Sequence, residues 1–151
     1  MSTPATPNPQ VIHGYYSIEL REHWLRNTVA EGVNLELVLQ YRKEADAAIT
    51  HLLGQPWGVH LIVEGDALLT PEATDMLIQV VKTRATLGCC GAAVQLKHSH
   101  ASSLLKFYWG HLYESAGLPH CFCNSEEEAE AWLTAQITKA LANPQHSQNP
   151  A

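Results

Sequence analysis

Positive charge is scarce in this sequence: nine Lys and Arg, scattered along the chain, stand against fifteen Asp and Glu, for a formal net charge of −6. General nucleic-acid binding needs clustered cations to meet the phosphate backbone, so that class of partner is excluded. Long apolar runs are missing too. The longest candidate, residues 88–96, is short and contains Gln95, well under the roughly 18 apolar residues that span a bilayer. Residues 1–10 (MSTPATPNPQ) have neither the basic stretch nor the apolar core of an export signal. The chain reads as cytoplasmic, without a transmembrane segment.

Motifs of catalysis are also lacking. No G-x-S-x-G elbow accompanies the serines at 99, 102 and 103, although His98 and His100 lie beside them. No G-x-G-x-x-G and no Walker lysine motif is present, so no loop is built to cradle phosphates. The four cysteines, at 89, 90, 121 and 123, form no C-x-x-C. In an intracellular chain they read as buried thiols, with Cys121 and Cys123 on one face of a strand. The sequence reads as no enzyme, with no cofactor.

What is present suits one globular domain. At 151 residues with 46% hydrophobic and 16% charged, the chain can bury a self-sufficient core. The Pro-, Thr- and Asn-containing residues 1–10 read as a disordered leader and 143–151 (NPQHSQNPA) as a disordered tail, leaving a single domain over 11–142.

Residues 11–20 (VIHGYYSIEL) are β-branched and aromatic and read as a strand. A polar turn leads to a second, antiparallel strand over 24–31, closed by Gly32. Asn34 caps a helix over 35–53 whose apolar stripe is Leu35, Leu39, Ala45, Ala48, Ile49 and Leu52. Residues 57–63 (WGVHLIV) are nearly continuous in apolar character, as in a central strand covered on both faces.

Thr70-Pro71-Glu72 starts a helix with Thr70 as N-cap, and Ala73, Leu77, Val80, Val81 and Arg84 carry it to Leu87 before Gly88 stops it. A strand over 91–96, built from small residues, predicts close packing of a helix above it. A helix over 101–116 ends at Gly117, and a short strand covers 119–123. Ser125 and Glu128 form a capping box for a last helix over 126–142, its stripe Ala129, Trp132, Leu133, Ile137 and Leu141. The order ββαβαβαβα predicts an α/β fold, a mixed sheet of about five strands with helices over it and an antiparallel opening hairpin.

This order resembles the SpoIIAA-like branch of the STAS superfamily, the sulfate-transporter and anti-sigma-factor-antagonist domains. The residues that carry the resemblance are Gly14-Tyr15-Tyr16, the strand 57–63, Leu69-Thr70-Pro71-Glu72-Ala73 and the helix of 125–133 with its Trp132. The resemblance implies a mostly non-enzymatic module that docks on a protein partner, some relatives binding nucleotides or lipids. Regulatory members carry a phosphorylatable Ser or Thr in a D-S-[ST]-G context. Here Ala67-Leu68-Leu69-Thr70-Pro71-Glu72 stands in that place, which argues against a kinase-controlled switch. The chain looks closer to small bacterial proteins of this fold without an assigned activity.

Three constellations remain. Thr70, at a helix N-terminus, would suit a phosphate; its bland role is a plain N-cap, and Glu64 and Asp66 nearby would repel an anion. His98, His100, His111 and His120, beside Cys121 and Cys123, would need three or four groups around one point to hold a metal. Solvated loop histidines are the simpler reading, and no metal is expected. The helix over 101–116 is too apolar for one face: Leu105, Tyr108, Leu112 and Ala116 make a core stripe, with Phe107, Trp109 and Tyr113 on its flanks. Thr70, Phe107, Trp109 and Tyr113 are therefore the candidate binding residues. They imply a protein partner or homodimer on this helix, or a small apolar ligand in a pocket between this helix and the one before it.

Overall fold

The computed structural model describes residues 14–143. The expected leader and the greater part of the expected tail, and the start of the first predicted strand at 11–13, lie outside the described residues. The elements are β1 (Tyr15–Leu20), β2 (Trp24–Ala30), α1 (Leu35–Ile49), β3 (Trp57–Glu64), α2 (Pro71–Thr86), β4 (Cys89–Lys97), α3 (Ser102–Ala116), β5 (His120–Cys123) and α4 (Glu126–Leu141). They form one five-stranded sheet in the order β1-β2-β3-β4-β5. The first pair is antiparallel and the other three are parallel. The predicted mixed sheet and opening hairpin are therefore both present.

Because each crossover from β2 to β5 steps to the next strand in the same direction, helices of one hand all land on one face. Accordingly α1 packs on α2 and α2 on α3, while α4 lies alone on the other face over β3, β4 and β5. Strand alternation divides the sheet side chains between the two. Leu25, Val29, Val59, Leu61, Val63, Ala92 and Val94 enter the main core under the three helices. Ala93 and Cys123 face α4 and pack with Ala129 and Leu133. Two glycines let α4 approach: a Cβ on Gly58 would stand 2.7 Å from Leu133 Cδ2, and one on Gly91 would stand 2.9 Å from Trp132 Cη2. The small residues of the fourth strand thus have the close helix above them that the sequence predicted.

Several predicted boundaries shift for identifiable reasons. β2 stops before Glu31, which itself takes a left-handed φ of 70° where the sequence pointed to Gly32. α1 ends at Ile49 rather than 53, and Gly54 turns the chain with φ 96°. β4 begins at Cys89, taking in both adjacent cysteines. The buried face of α1 is Leu37, Val38, Tyr41, Ala45 and Ile49, so Leu39 faces solvent instead of the core. In α4 the stripe closes on Ala140 and leaves Leu141 exposed.

The caps follow their chemistry. Asn34 Oδ1 accepts from Leu37 N at 2.9 Å, and Ser125 Oγ from Glu128 N at 3.1 Å with Glu128 reaching back to Asn124 N. α3 has no side-chain cap of its own at Ala101. Asp66, in the loop after β3, serves from a distance: its Oδ1 accepts from His100 N at 2.9 Å and Ala101 N at 3.1 Å. No helix among the described residues is long and apolar enough to cross a membrane.

Candidate functional site

A cavity of about 50 Å³ lies between the sheet and the three-helix layer. β2 and β3 form its floor through Val29, Val59 and Leu61; α1 contributes Leu37, Val38 and Tyr41; α2 contributes Leu77, Val81 and Arg84; α3 closes it with Trp109, Leu112 and Tyr113. At roughly 10–15 Å³ for each water-sized group, it holds three to five such groups. The walls are apolar except where Asn27, Tyr41 and Arg84 meet.

That polar corner is unusual for an interior. Arg84 is only 6% exposed and Asn27 4%. Arg84 NH2 donates to the Tyr41 hydroxyl at 2.7 Å, and Asn27 Nδ2 donates to the same hydroxyl at 2.6 Å. The guanidinium carbon also sits 5.2 Å from the Tyr41 ring centre. Arg84 Nε and Asn27 Oδ1 have no hydrogen-bond partner. Among the described residues no carboxylate pairs with Arg84. Burial opposes the guanidinium's charge but the Tyr41 hydroxyl supports it, and the net direction is upward, so it stays protonated. Its neighbours supply no anion at neutral pH: burial pushes the Cys89 thiol up to about 12, and it likewise raises Tyr113. A buried, always-charged group without a counter-charge costs several kcal/mol in a low-dielectric site.

Trp109 and Tyr113 line this cavity and are buried, at 3% and 5% exposure. They are inside the fold and not on an outer flank as the sequence suggested. The Trp109 indole N–H donates to the Ala67 carbonyl at 3.2 Å, which fixes the ring over the cavity. Tyr108, assigned to the core stripe, is instead exposed at 47%, beside Phe107 at 66% and Leu104 at 43%. Phe107 and Tyr108 meet edge to face with ring centres 5.2 Å apart. Arg84 and Asn27 were not singled out in the sequence. A signal existed for Arg84, the polar member of an otherwise apolar helical stripe; Asn27 in the strand 24–31 gave a weaker one.

Thr70 is the N-cap of α2: its Oγ1 accepts from Ala73 N at 3.2 Å. The histidines do not come together. His98 stands just past the end of β4, with Nδ1 3.1 Å from Glu64 Oε1. His120 pairs with Ala92 near the start of β4, roughly 20 Å from His98 along the strand at about 3.3 Å per residue. There His120 stacks on Tyr113, ring centres 5.6 Å apart. Among the described residues no three His, Cys, Asp or Glu groups are placed to hold a metal. All four cysteines are free thiols, and Cys121 and Cys123 share a face with sulfurs 3.9 Å apart.

The larger groove, of about 670 Å³, crosses the N-terminal ends of β4 and β5 past Cys90, Gln136 and Lys139. No unpartnered buried polar atom lines it. The small cavity is the better site on chemical grounds.

No family model matches the sequence, and no curated protein matches it. In structure the chain is similar to an uncharacterised protein of the DUF3478 family from Shewanella loihica PV-4, whose fold is SpoIIAA-like. The two superpose with a TM-score of 0.59 at 11% sequence identity, over 86% of this chain and 99% of that chain. With its element order, strand order and opening hairpin, the chain has a SpoIIAA-like fold, a mixed α/β sheet.

Proposed function

We propose that the chain is a non-catalytic STAS-like binding module that takes a small ligand into the cavity under α1, α2 and α3. The observation that carries this reading is the unpaired Arg84 guanidinium in an apolar cavity lined by Trp109 and Tyr113. Ligand sites combine apolar walls with a few fixed polar groups, and this one does so at small scale. No nucleophile–base pair borders it, which favours binding over turnover. Xenon, an apolar probe of matching size, tests the reading. Its binding should move the amide and methyl signals around the cavity, and Val81→Phe, which fills the space, should remove the response. An unresponsive wild-type chain would contradict it.

A homodimer through the outer face of α3 is a second reading, favoured by the exposed Leu104, Phe107 and Tyr108 at one-turn spacing. Sedimentation decides it: a dimer that Phe107→Ser converts to monomer supports it, and a monomer in both forms defeats it. A phosphorylation switch at Thr70 has less support, because that hydroxyl oxygen already caps α2.

A further inference from the structure

We infer that the ligand is a short-chain monocarboxylate whose carboxylate lies on Arg84. This inference rests on the cavity being a ligand site and adds the class of ligand. The guanidinium is a planar fork of five donors that matches a carboxylate with two parallel bonds. Here one N–H of NH2 goes to Tyr41, its other N–H remains beside the unpartnered Nε–H, and the group is nine-tenths buried. A carboxylate would supply both the missing acceptor and the missing charge.

The rest of the corner adjusts to fit. Tyr41 OH and the Asn27 amide atom are 2.6 Å apart, a length more usual for O–H···O than for N–H···O. Turning the Asn27 carboxamide by 180° keeps its shape and lets the Tyr41 O–H donate to Oδ1. Nδ2 is then free to donate to the ligand beside Arg84 Nε. Tyr41 then satisfies Asn27 Oδ1, and the anion accepts from Arg84 Nε and from the Asn27 Nδ2 that the turn releases.

Size and charge narrow the class further. A cavity of about 50 Å³ holds roughly three to five water-sized groups, the size of acetate or propionate, and excludes a long acyl chain. A phosphate brings more oxygens and up to two charges, more than Arg84, Tyr41 and Asn27 can meet. The alkyl end would lie against Val59, Val81 and Leu112.

Thermal unfolding of the full chain, at constant ionic strength set with chloride, tests this. The ligands are acetate, propionate and butyrate, their neutral counterparts propionamide and 1-propanol, octanoate, and xenon. Propionate should raise Tm saturably, and the two neutral molecules should bind on the order of tenfold more weakly or worse. Arg84→Met, an apolar replacement of similar length, should lose the propionate response and keep that to xenon. Asn27→Asp sets a carboxylate beside Arg84 within the chain, and it should raise Tm without ligand and abolish the propionate effect. If propionamide or 1-propanol binds as well as propionate, or octanoate binds best, the carboxylate class or its size is overturned while the cavity reading survives. If xenon also leaves the chain unchanged, the cavity is a hydrated packing defect and both readings fall.

Discussion

Arg84 shows what a single residue can carry. It falls in register with Ala73, Leu77, Val80 and Val81, and helical spacing alone marks it only as a continuation of the stripe. A polar residue in register with an apolar stripe is a signal, but its meaning depends on what lies across the interface, and periodicity says nothing of that. Opposite Arg84 stand Tyr41 and Asn27 rather than an acid. Since a buried uncompensated charge is costly, Arg84→Met should make the ligand-free chain more stable than the parent, by about 1–4 kcal/mol in urea unfolding. A loss of several kcal/mol would mean that Arg84 holds the fold together. Gly91 makes the opposite point. Its missing Cβ would meet the stiff indole of Trp132 at 2.9 Å, so Gly91→Ala should cost about 1–3 kcal/mol by overpacking, read in the same unfolding experiment. A stability unchanged within error would show that α4 can move away at little cost.

At the scale of elements, type and order were legible because hydrophobic period and caps agreed. Asn34, Thr70 and Ser125 each accept from the amide three residues on, as their sequence contexts indicated. Thr70→Ala should therefore lower stability by about 1 kcal/mol while Thr70→Ser is nearly neutral; equal losses in both would rule out the cap as the cause. The faces of helices were less legible. In α3 both Tyr108 and Trp109 lie within one turn of Leu105, and apolar residues on both flanks gave the period nothing to choose by. Packing against α2 and the bond from Trp109 to Ala67 chose Trp109. The cap of α3 was hidden for another reason: Asp66 is some 35 residues away in sequence, and only the parallel pairing of β3 with β4 brings it there. The amides it accepts from, His100 first, hold its carboxyl below the usual range. Its support is present above the ordinary carboxylate pKa and is lost as pH falls through the depressed one. Hydrogen exchange at the first turn of α3 should accelerate there in the parent chain and be fast throughout in Asp66→Ala.

For the whole molecule, the two faces of the sheet carry different chemistry. The three-helix face holds the cavity. The face under α4 holds His60, fully buried, with Nε2 2.9 Å from Gln95 Oε1. Burial lowers the His60 pKa from 6.5, Gln95 and the acids Glu126 and Glu130 opposing and Arg26 assisting. The folded state thus holds this imidazole neutral while the unfolded chain protonates it at the ordinary value. Stability from this group is full above pH 6.5 and is lost progressively as pH falls below it toward the depressed folded value. His60→Gln should flatten that part of the stability profile relative to the parent. An identical slope in the variant would assign the acid sensitivity to other groups. This region was legible only as a continuous apolar strand containing one histidine, because long-range partners set its surroundings.

If the cavity on the three-helix face is the binding site, three of the tryptophans distinguish it from the opposite face. Trp109 lines the cavity, whereas Trp24 and Trp132 pack on the α4 side of the sheet. The most direct measurement follows the indole N–H signals by NMR as xenon, and then propionate, is added to the full chain. The Trp109 signal should shift saturably with both while those of Trp24 and Trp132 stay fixed. A fixed Trp109 signal, or a saturable shift confined to Trp24 and Trp132, would contradict the account.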